Sequence, residues 1–121
     1  MNSNSSHTPE ISVCMVCYNH AAFVGTAMAS VLRQTFADFE FLILDNGSTD
    51  ASLAVMQGFD DARISMEALP KNIHSTCAAN HLLSRARGRY VAMICSDDAW
   101  LPDKLARQAA WLDAHERCAV V

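Results

Sequence analysis

The 121-residue sequence lacks any long apolar run and any export signal. Its apolar stretches stay well below the roughly 18 residues that a membrane-spanning helix needs, so we predict no transmembrane segment. Residues 1–9 are polar and have neither the basic start nor the apolar middle of a secretory signal, and we expect them to form a disordered leader. The lack of a signal and of an anchor favours a cytoplasmic protein with one domain, residues 10–121.

Positive charge is also scarce. The net charge is −4, and the basic residues are scattered apart from one short group at Arg85, Arg87 and Arg89. A nucleic-acid-binding surface needs a basic patch or stripe, so we predict no nucleic-acid partner. With 51% hydrophobic and 18% charged residues, the composition is that of a soluble globular domain.

The five cysteines are an odd number in a chain without an export signal, which favours reduced thiols over a disulfide framework. Cys14 and Cys17 form a C-x-x-C, a spacing found in zinc and redox sites. Both lie in an apolar run that indicates a buried strand, where residues three apart point to opposite faces. We therefore interpret them as core residues that neither bind metal nor form a disulfide.

Short apolar runs alternate with helical patterns, which indicates a βαβ series. The predicted strands cover Ile11–Cys17, 39–44, 63–67 and 90–95, and the predicted helices lie near 24–31, 50–57, 75–87 and 102–116. The third strand alternates as an edge strand does, whereas the fourth is apolar enough to be central. The predicted fold is therefore α/β, with a Rossmann-like, mostly parallel sheet flanked by helices.

Local signals add detail to this prediction. Gly88 suits the position just after the third helix, and Pro102 suits the first turn of the fourth. The third helix is expected to bury an apolar face made of Ala79, Leu82, Leu83 and Ala86. Residues 118–121 are apolar and indicate a further strand, so we expect that the domain is truncated there.

Polar residues follow three of the predicted strands. Parallel strands joined by right-handed crossovers place their carboxyl ends at one edge of the sheet, where ligands bind. The polar residues are Tyr18 and Asn19 after the first strand, Asp45 and Asn46 after the second, and Asp97 and Asp98 after the fourth. We expect these side chains to line one crevice.

Asp97 and Asp98 have two interpretations. Adjacent carboxylates repel each other unless a cation offsets their charge, and Mg²⁺ or Mn²⁺ on such a pair commonly carries diphosphate oxygens and water as its other ligands. Alternatively, the Ser96-Asp97-Asp98 segment caps the helix that follows, where negative charge is favourable. The pair alone does not decide between these interpretations.

Five segments, in this order, resemble the N-terminal region of family 2 glycosyltransferases with the GT-A fold. They are ISV at 11–13 with YN at 18–19, SVLRQTF at 30–36 with DFE at 38–40, DNGSTD at 45–50, ARGRYVA at 86–92 and SDDAWLPDKL at 96–105. The resemblance covers residues 11–121. It implies a donor nucleotide pocket of Tyr18, Asn19, Asp45, Asn46 and Asp97. In it Tyr18 stacks on the base, and Asp98 binds Mn²⁺ or Mg²⁺.

The resemblance also implies the reaction. A sugar would pass from a nucleoside diphosphate sugar to a hydroxyl of a sugar or lipid-linked acceptor, with metal assistance and inversion, in cell-envelope polysaccharide synthesis. The enzyme would work in the cytoplasm at the inner face of the membrane. The family's catalytic base lies in the later half, beyond Val121, so we assign no base here. We expect the isolated chain to bind donor without transferring sugar.

Three positions depart from the family pattern. The acid that often stands two residues before Asp97, completing D-x-D, is Cys95 here, which leaves Asp98 as the metal ligand. Many members have a second aspartate that accepts a hydrogen bond from uracil. Here it is Asn46, which can both donate and accept, so the base stays open. Many members also carry an arginine where this chain has Ala79.

Other classes fit less well. A phosphorelay receiver is also a doubly wound domain with an acidic pocket, but its acid pair should follow the first strand, which here ends in Cys17-Tyr18-Asn19. A dehydrogenase needs a glycine-rich turn at that point, and Gly25 is the only glycine near it. A non-catalytic nucleotide-sugar-binding domain remains an alternative, because the same pocket could serve without a base.

Overall fold

One four-stranded parallel sheet organises the computed structural model, which describes residues 7–121. The strands are β1 (Ile11–Cys17), β2 (Phe39–Asp45), β3 (Ile64–Ala68) and β4 (Tyr90–Met93). The helices are α1 (Val24–Leu32), α2 (Ser52–Gln57), α3 (Ser75–Leu83) and α4 (Lys104–Ala114). The strand order is β3-β2-β1-β4, and each neighbouring pair is parallel. The predicted α/β, Rossmann-like fold is confirmed, with β3 at an edge as predicted.

The expected disordered leader falls mostly on residues 1–6, which lie outside the described residues. The residues that precede β1 in the described part contact the domain. The His7 ring hydrogen-bonds the Asp38 carboxylate at 2.8 Å, and Pro9 is buried.

Alternating side chains along β1 and β2 fill both faces of the sheet. One face, with Val13 and Phe41 among its residues, packs with α1, α2 and α4, whereas the other face packs with α3. Burial on both faces explains why these strands are almost continuously apolar. Cys17 belongs to the first cluster and Cys14 to the second, so the prediction that they point to opposite faces is confirmed.

The prediction that the fourth strand is central is wrong. β4 pairs with β1 alone in the described part of the chain and forms the other edge of the sheet. Val91 and Met93, which face away from the core, are 47% and 48% exposed. An apolar composition shows that a strand can be buried, but it does not show that a second strand pairs with it.

The prediction of a strand at 118–121 is also wrong, because these residues have no regular secondary structure. They run beside β4 and α4, where residues 119–121 help to line a groove together with Tyr90 and Leu112. Val120 and Val121 remain 82% and 53% exposed.

The third helix is shorter than predicted and turns a different face inward. α3 ends with Ser84 as its C-cap, and its buried residues are Ala78 and Leu82, whereas Leu83 is exposed. Gly88 therefore does not close the helix. A Cβ on Gly88 would lie 2.5 Å from the backbone nitrogen of Ser12, so the glycine is needed for close approach to β1.

The fourth helix starts later than predicted. α4 begins at Lys104 with Asp103 as its N-cap, so Pro102 precedes the helix instead of occupying its first turn. The Pro102 carbonyl accepts a hydrogen bond from the Thr35 backbone at 2.9 Å. This loop contact ties the entrance of α4 to the end of α1.

Candidate functional site

The loops after β1 and β2 are joined at the carboxyl edge of the sheet by Asn19. This residue has a positive φ of 53°, which directs its side chain toward the β2 loop. Its Oδ1 accepts hydrogen bonds from the backbone nitrogens of Thr49 at 2.8 Å and Asp50 at 3.3 Å, and its own N–H donates to the Ser48 hydroxyl at 3.0 Å. Asn19 therefore holds the loops after β1 and β2 together.

Tyr18 lies beside this junction and is 43% exposed. Its neighbour Asn19 is held in place, so the position of Tyr18 at the end of β1 is defined. An exposed aromatic ring at such a position can stack on a flat ligand such as a nucleotide base.

Asp45, the last residue of β2, has an unusual environment for a carboxylate. It is only 2% exposed, and its Oδ2 accepts a hydrogen bond from the Ser48 backbone at 3.2 Å. Its Oδ1 is the one buried side-chain oxygen or nitrogen without a partner among residues 7–121. Buried polar atoms are nearly always paired, since an unpaired one costs free energy. The unpaired oxygen therefore marks the end of β2 as a candidate binding position.

Asn46 is already fully engaged within the protein. Its Nδ2 donates to the Ile73 carbonyl at 2.9 Å, and its Oδ1 accepts from the Ile73 N–H at 3.0 Å. The next residue, Gly47, has a φ of +71°, and a Cβ there would lie 2.3 Å from the backbone nitrogen of Asn72. The β2 loop thus packs tightly against the segment that leads into α3.

The acid loop, residues 95–98, follows β4. Ligand atoms of Cys95, Asp97 and Asp98 all lie within 4.8 Å of one another, and all three residues are exposed. The Asp98 N–H donates to the Cys95 carbonyl at 3.0 Å, which closes the turn that gathers them. Burial raises the pKa of the Cys95 thiol, and the charges of Asp98 and Asp97 raise it further.

The helix-cap interpretation of this pair is wrong. α4 starts at Lys104, several residues after Asp98, and its N-cap residue is Asp103. The two carboxylates are therefore left without a capping role. With the Cys95 sulfur they form a donor set that fits a divalent cation, because carboxylates suit Mg²⁺ and Mn²⁺ and thiolates suit softer metals.

Cys95 is the member of this cluster that sequence reasoning missed. The sequence indicates the loss of an acidic ligand at this position, but the turn brings the Cys95 sulfur close to the two carboxylates. The signal was available in its spacing, since Cys95 and Asp97 keep the one-residue interval of D-x-D. The structure thus groups three potential ligands where the sequence predicted one.

The family model of glycosyl transferase family 2 matches residues 12–121. The chain belongs to this family. The match covers all of the strands except Ile11, the loops after β1 and β2, and the acid loop. Membership of family 2 rules out the phosphorelay receiver, and the predicted resemblance is confirmed.

Curated relatives in family 2 include the teichuronic acid biosynthesis glycosyltransferase TuaG of Bacillus subtilis, which is 37% identical over 86% of this chain and 42% of its own length. Another is the UDP-Glc:α-D-GlcNAc-diphosphoundecaprenol β-1,3-glucosyltransferase WfgD of Escherichia coli, 32% identical over 84% of this chain and 40% of its own. The chain thus spans about two fifths of the length of these relatives. The expected relationship to enzymes of cell-envelope polysaccharide synthesis is confirmed.

A solved member of the same fold is TarS of S. aureus in complex with UDP. It superimposes with a TM-score of 0.82 at 26% identity, over 88% of this chain and 33% of the TarS chain. The GT-A fold is therefore confirmed for the described residues. None of the helices found between residues 7 and 121 has both the length and the apolar character to cross a membrane.

Proposed function

We propose that residues 10–121 form the donor-binding half of a metal-dependent glycosyltransferase that moves a sugar from a nucleoside diphosphate sugar to an acceptor hydroxyl. The observation that carries this proposal is the set of groups at the carboxyl edge of the sheet. An exposed ring at Tyr18, an orphaned carboxylate oxygen at Asp45 and the acid loop follow three adjacent strands. In this proposal Tyr18 and Asp45 contact the base, and the acid loop contacts the ribose and the metal-bound diphosphate.

Each residue has a distinct role in this proposal. Tyr18 stacks on the base, Asp45 Oδ1 accepts an N–H of the base edge, and Asp97 approaches the ribose. Asn19 and Asn46 contribute to donor binding by holding the loops that carry these groups, because their own side chains are bonded to Thr49 and Ile73.

The acid loop is the proposed metal site. Asp98 would hold Mn²⁺ or Mg²⁺, with Asp97 and Cys95 close enough to share it. A bound divalent ion supplies charge neutralisation to the nucleoside diphosphate as it departs. The chain's own contribution is to fix the carboxylates at the end of β4, next to the groups that orient the nucleotide.

The relatives support a proposal for donor and acceptor. TarS is described in complex with UDP, and the name of WfgD gives UDP-Glc as donor, a diphosphoundecaprenol-linked sugar as acceptor and a β-linked product. By analogy we propose a uridine nucleotide and a lipid-linked acceptor for this protein. Forming a β-linkage from an α-linked donor is an inversion, so we propose an inverting reaction. We also propose that the protein meets its lipid-linked acceptor at the cytoplasmic face of the membrane.

The base that deprotonates the acceptor is not assigned to any residue of this chain. Losing such a base costs roughly 10²- to 10⁴-fold in rate. We therefore propose that this chain alone binds donor and transfers no sugar. A binding domain without catalysis is the alternative function.

A titration of UDP, GDP and CDP in the presence of Mn²⁺ tests donor binding, and saturable binding of UDP is expected. A radiolabelled transfer assay with this chain tests catalysis, and turnover would contradict the proposal.

A further inference from the structure

His20 lies in the loop after β1, and its backbone is held on both sides. Its N–H donates to the Ser52 hydroxyl at 2.9 Å, and its carbonyl accepts from the N–H groups of Phe23 and Val24, both at 2.9 Å. The ring is half-buried and meets the Phe23 ring edge-on, with 6.1 Å between centroids. The direction of the imidazole is therefore set by the fold rather than by solvent.

The imidazole contacts the acid loop. Its Nδ1 lies 2.6 Å from the hydroxyl oxygen of Ser96. Ser96 is only 2% exposed and stands between Cys95 and Asp97, inside the turn closed by the Asp98 N–H. Ser96 is thus the buried residue of the acid loop, whereas the potential ligands on either side of it are exposed.

This contact belongs to a small polar cluster of Cys17, His20, Ser52 and Ser96. Cys17 and Ser52 are fully buried. Burial raises the pKa of the Cys17 thiol, and hydrogen bonds with the hydroxyls of Ser96 and Ser52 partly oppose this rise. The cluster therefore connects the end of β1, the start of α2 and the acid loop through side chains that the proposed donor and metal contacts do not use.

We propose that His20 is a positioning residue, which holds the acid loop through Ser96 in the conformation that binds the metal and the nucleoside diphosphate. This inference rests on the proposed function of the acid loop. The loop is exposed and follows an edge strand, so the contact with His20 is an important restraint on its conformation. Without it a smaller fraction of molecules has the binding conformation, and the apparent affinity falls by that fraction.

Two substitutions of similar polarity separate this role from a general effect on the fold. The side chain of asparagine places a polar atom near the position of Nδ1, whereas that of glutamine places one near Nε2. His20→Asn should therefore keep the bond to Ser96, and His20→Gln should lose it. The readouts are Mn²⁺ affinity, from the electron paramagnetic resonance signal of free Mn²⁺, and UDP affinity in Mn²⁺, from calorimetry.

We expect His20→Gln and Ser96→Ala each to weaken Mn²⁺ and UDP binding by about 2- to 10-fold, as for loss of one hydrogen bond. His20→Asn should bind as the wild type does. The double variant His20→Gln with Ser96→Ala should be no weaker than either single variant, because both remove the same contact. Circular dichroism establishes that each variant is folded.

The outcomes are distinguishable. If Asp98→Ala abolishes Mn²⁺ binding while His20→Gln binds like the wild type, the role of His20 is refuted and the proposed function stands. Equal losses in His20→Asn and His20→Gln also refute it. If Asp98→Ala leaves Mn²⁺ binding intact, the proposed function itself fails. Should His20→Gln not fold, Ser96→Ala decides the question, and an unchanged Mn²⁺ affinity in that variant overturns the inference.

Discussion

The side-chain amide of Asn46 forms a paired hydrogen bond with the backbone of Ile73, donating to its carbonyl at 2.9 Å and accepting from its N–H at 3.0 Å. This pair joins the end of β2 to the start of α3. The aspartate that many family members carry at position 46 could make only one of these bonds. The residue therefore has a structural role here that an acid could not fill.

Asn46→Asp should accordingly destabilise the fold. The carboxylate would lose the bond to the Ile73 carbonyl and would lie against that oxygen in a buried site, which we expect to lower the free energy of unfolding by about 1–3 kcal/mol. Urea denaturation near neutral pH measures this change. Asn80→Asp, on an exposed position of α3, adds the same charge and serves as the control. Equal stability of the two variants would show that the pair with Ile73 contributes nothing.

Asp45→Asn should separate stability from binding. Oδ1 of Asp45 is buried and unpaired, so replacing the charged group with a neutral one of the same shape should leave the protein at least as stable as the wild type. It should weaken UDP binding about 10-fold or more, since a hydrogen bond to a charged group is lost. Calorimetry and thermal unfolding measure the two effects. The control is Asp60→Asn, at an exposed position before β3. Full UDP affinity in Asp45→Asn would remove this residue from the site.

Glu40 should make stability depend on pH. Its carboxylate accepts from the Ser12 hydroxyl at 2.5 Å and from the Arg87 N–H at 2.8 Å, and it pairs with the Arg87 guanidinium at 3.0 Å. Burial raises the pKa of Glu40, but the hydrogen bonds with Ser12 and Arg87 and the charge of Arg87 outweigh it, so the pKa is lowered. The ionised carboxylate therefore stabilises the fold at neutral pH, and this contribution is lost as the pH falls through the folded pKa.

Glu40→Gln is expected to lower the free energy of unfolding by about 1–3 kcal/mol near neutral pH, with the difference shrinking in acid. Urea denaturation at several pH values gives the comparison. Glu67→Gln is the matched control, because Glu67 pairs with Arg85 on the surface and should contribute less than about 1 kcal/mol. A loss in Glu40→Gln that stayed constant down to acid pH would contradict this account of the ion pair.

Much of the fold could be predicted because β1 and β2 are buried on both faces and are bounded by clear turn residues. The edge position of β4 could not be predicted, since its apolar sequence is compatible with burial that the described chain does not provide. The inward face of α3 was also missed. That face is defined by the packing of Ala78 and Leu82 with residues of β1 and β2, which are distant in sequence.

The candidate site was predictable in its location and less so in its details. The topology of a parallel sheet places Tyr18, Asp45 and Asp98 at one edge, and this follows from the order of strands alone. The hydrogen bonds of Asn19 and Asn46 within the protein do not follow from it, because their partners lie about 30 residues away. The same applies to His20 and Ser96.

Cys95 should give the metal site a spectroscopic signature. Its sulfur lies within 4.8 Å of ligand oxygens of both Asp97 and Asp98. With Co²⁺ as a probe, we expect a sulfur-to-metal charge-transfer band in the near ultraviolet, which Cys95→Ser removes while the carboxylates remain. Cys95→Asp should shift the preference toward Mg²⁺, a metal that favours oxygen ligands. A Co²⁺ spectrum identical in the wild type and in Cys95→Ser would exclude the thiol from the site.

The central claim is that this chain binds a nucleoside diphosphate through a divalent metal at the acid loop. Calorimetric titration of UDP, first with Mn²⁺ and then with a chelator, tests it most directly. The titration is made with the wild type, with Asp98→Ala and with a control, Asp103→Ala. Asp103 is an exposed acid at the start of α4. We expect the wild type and Asp103→Ala to bind UDP saturably when Mn²⁺ is present and weakly when the chelator is present. Asp98→Ala should bind UDP weakly under both conditions. Equal affinity of the wild type for UDP with Mn²⁺ and with chelator would contradict the claim.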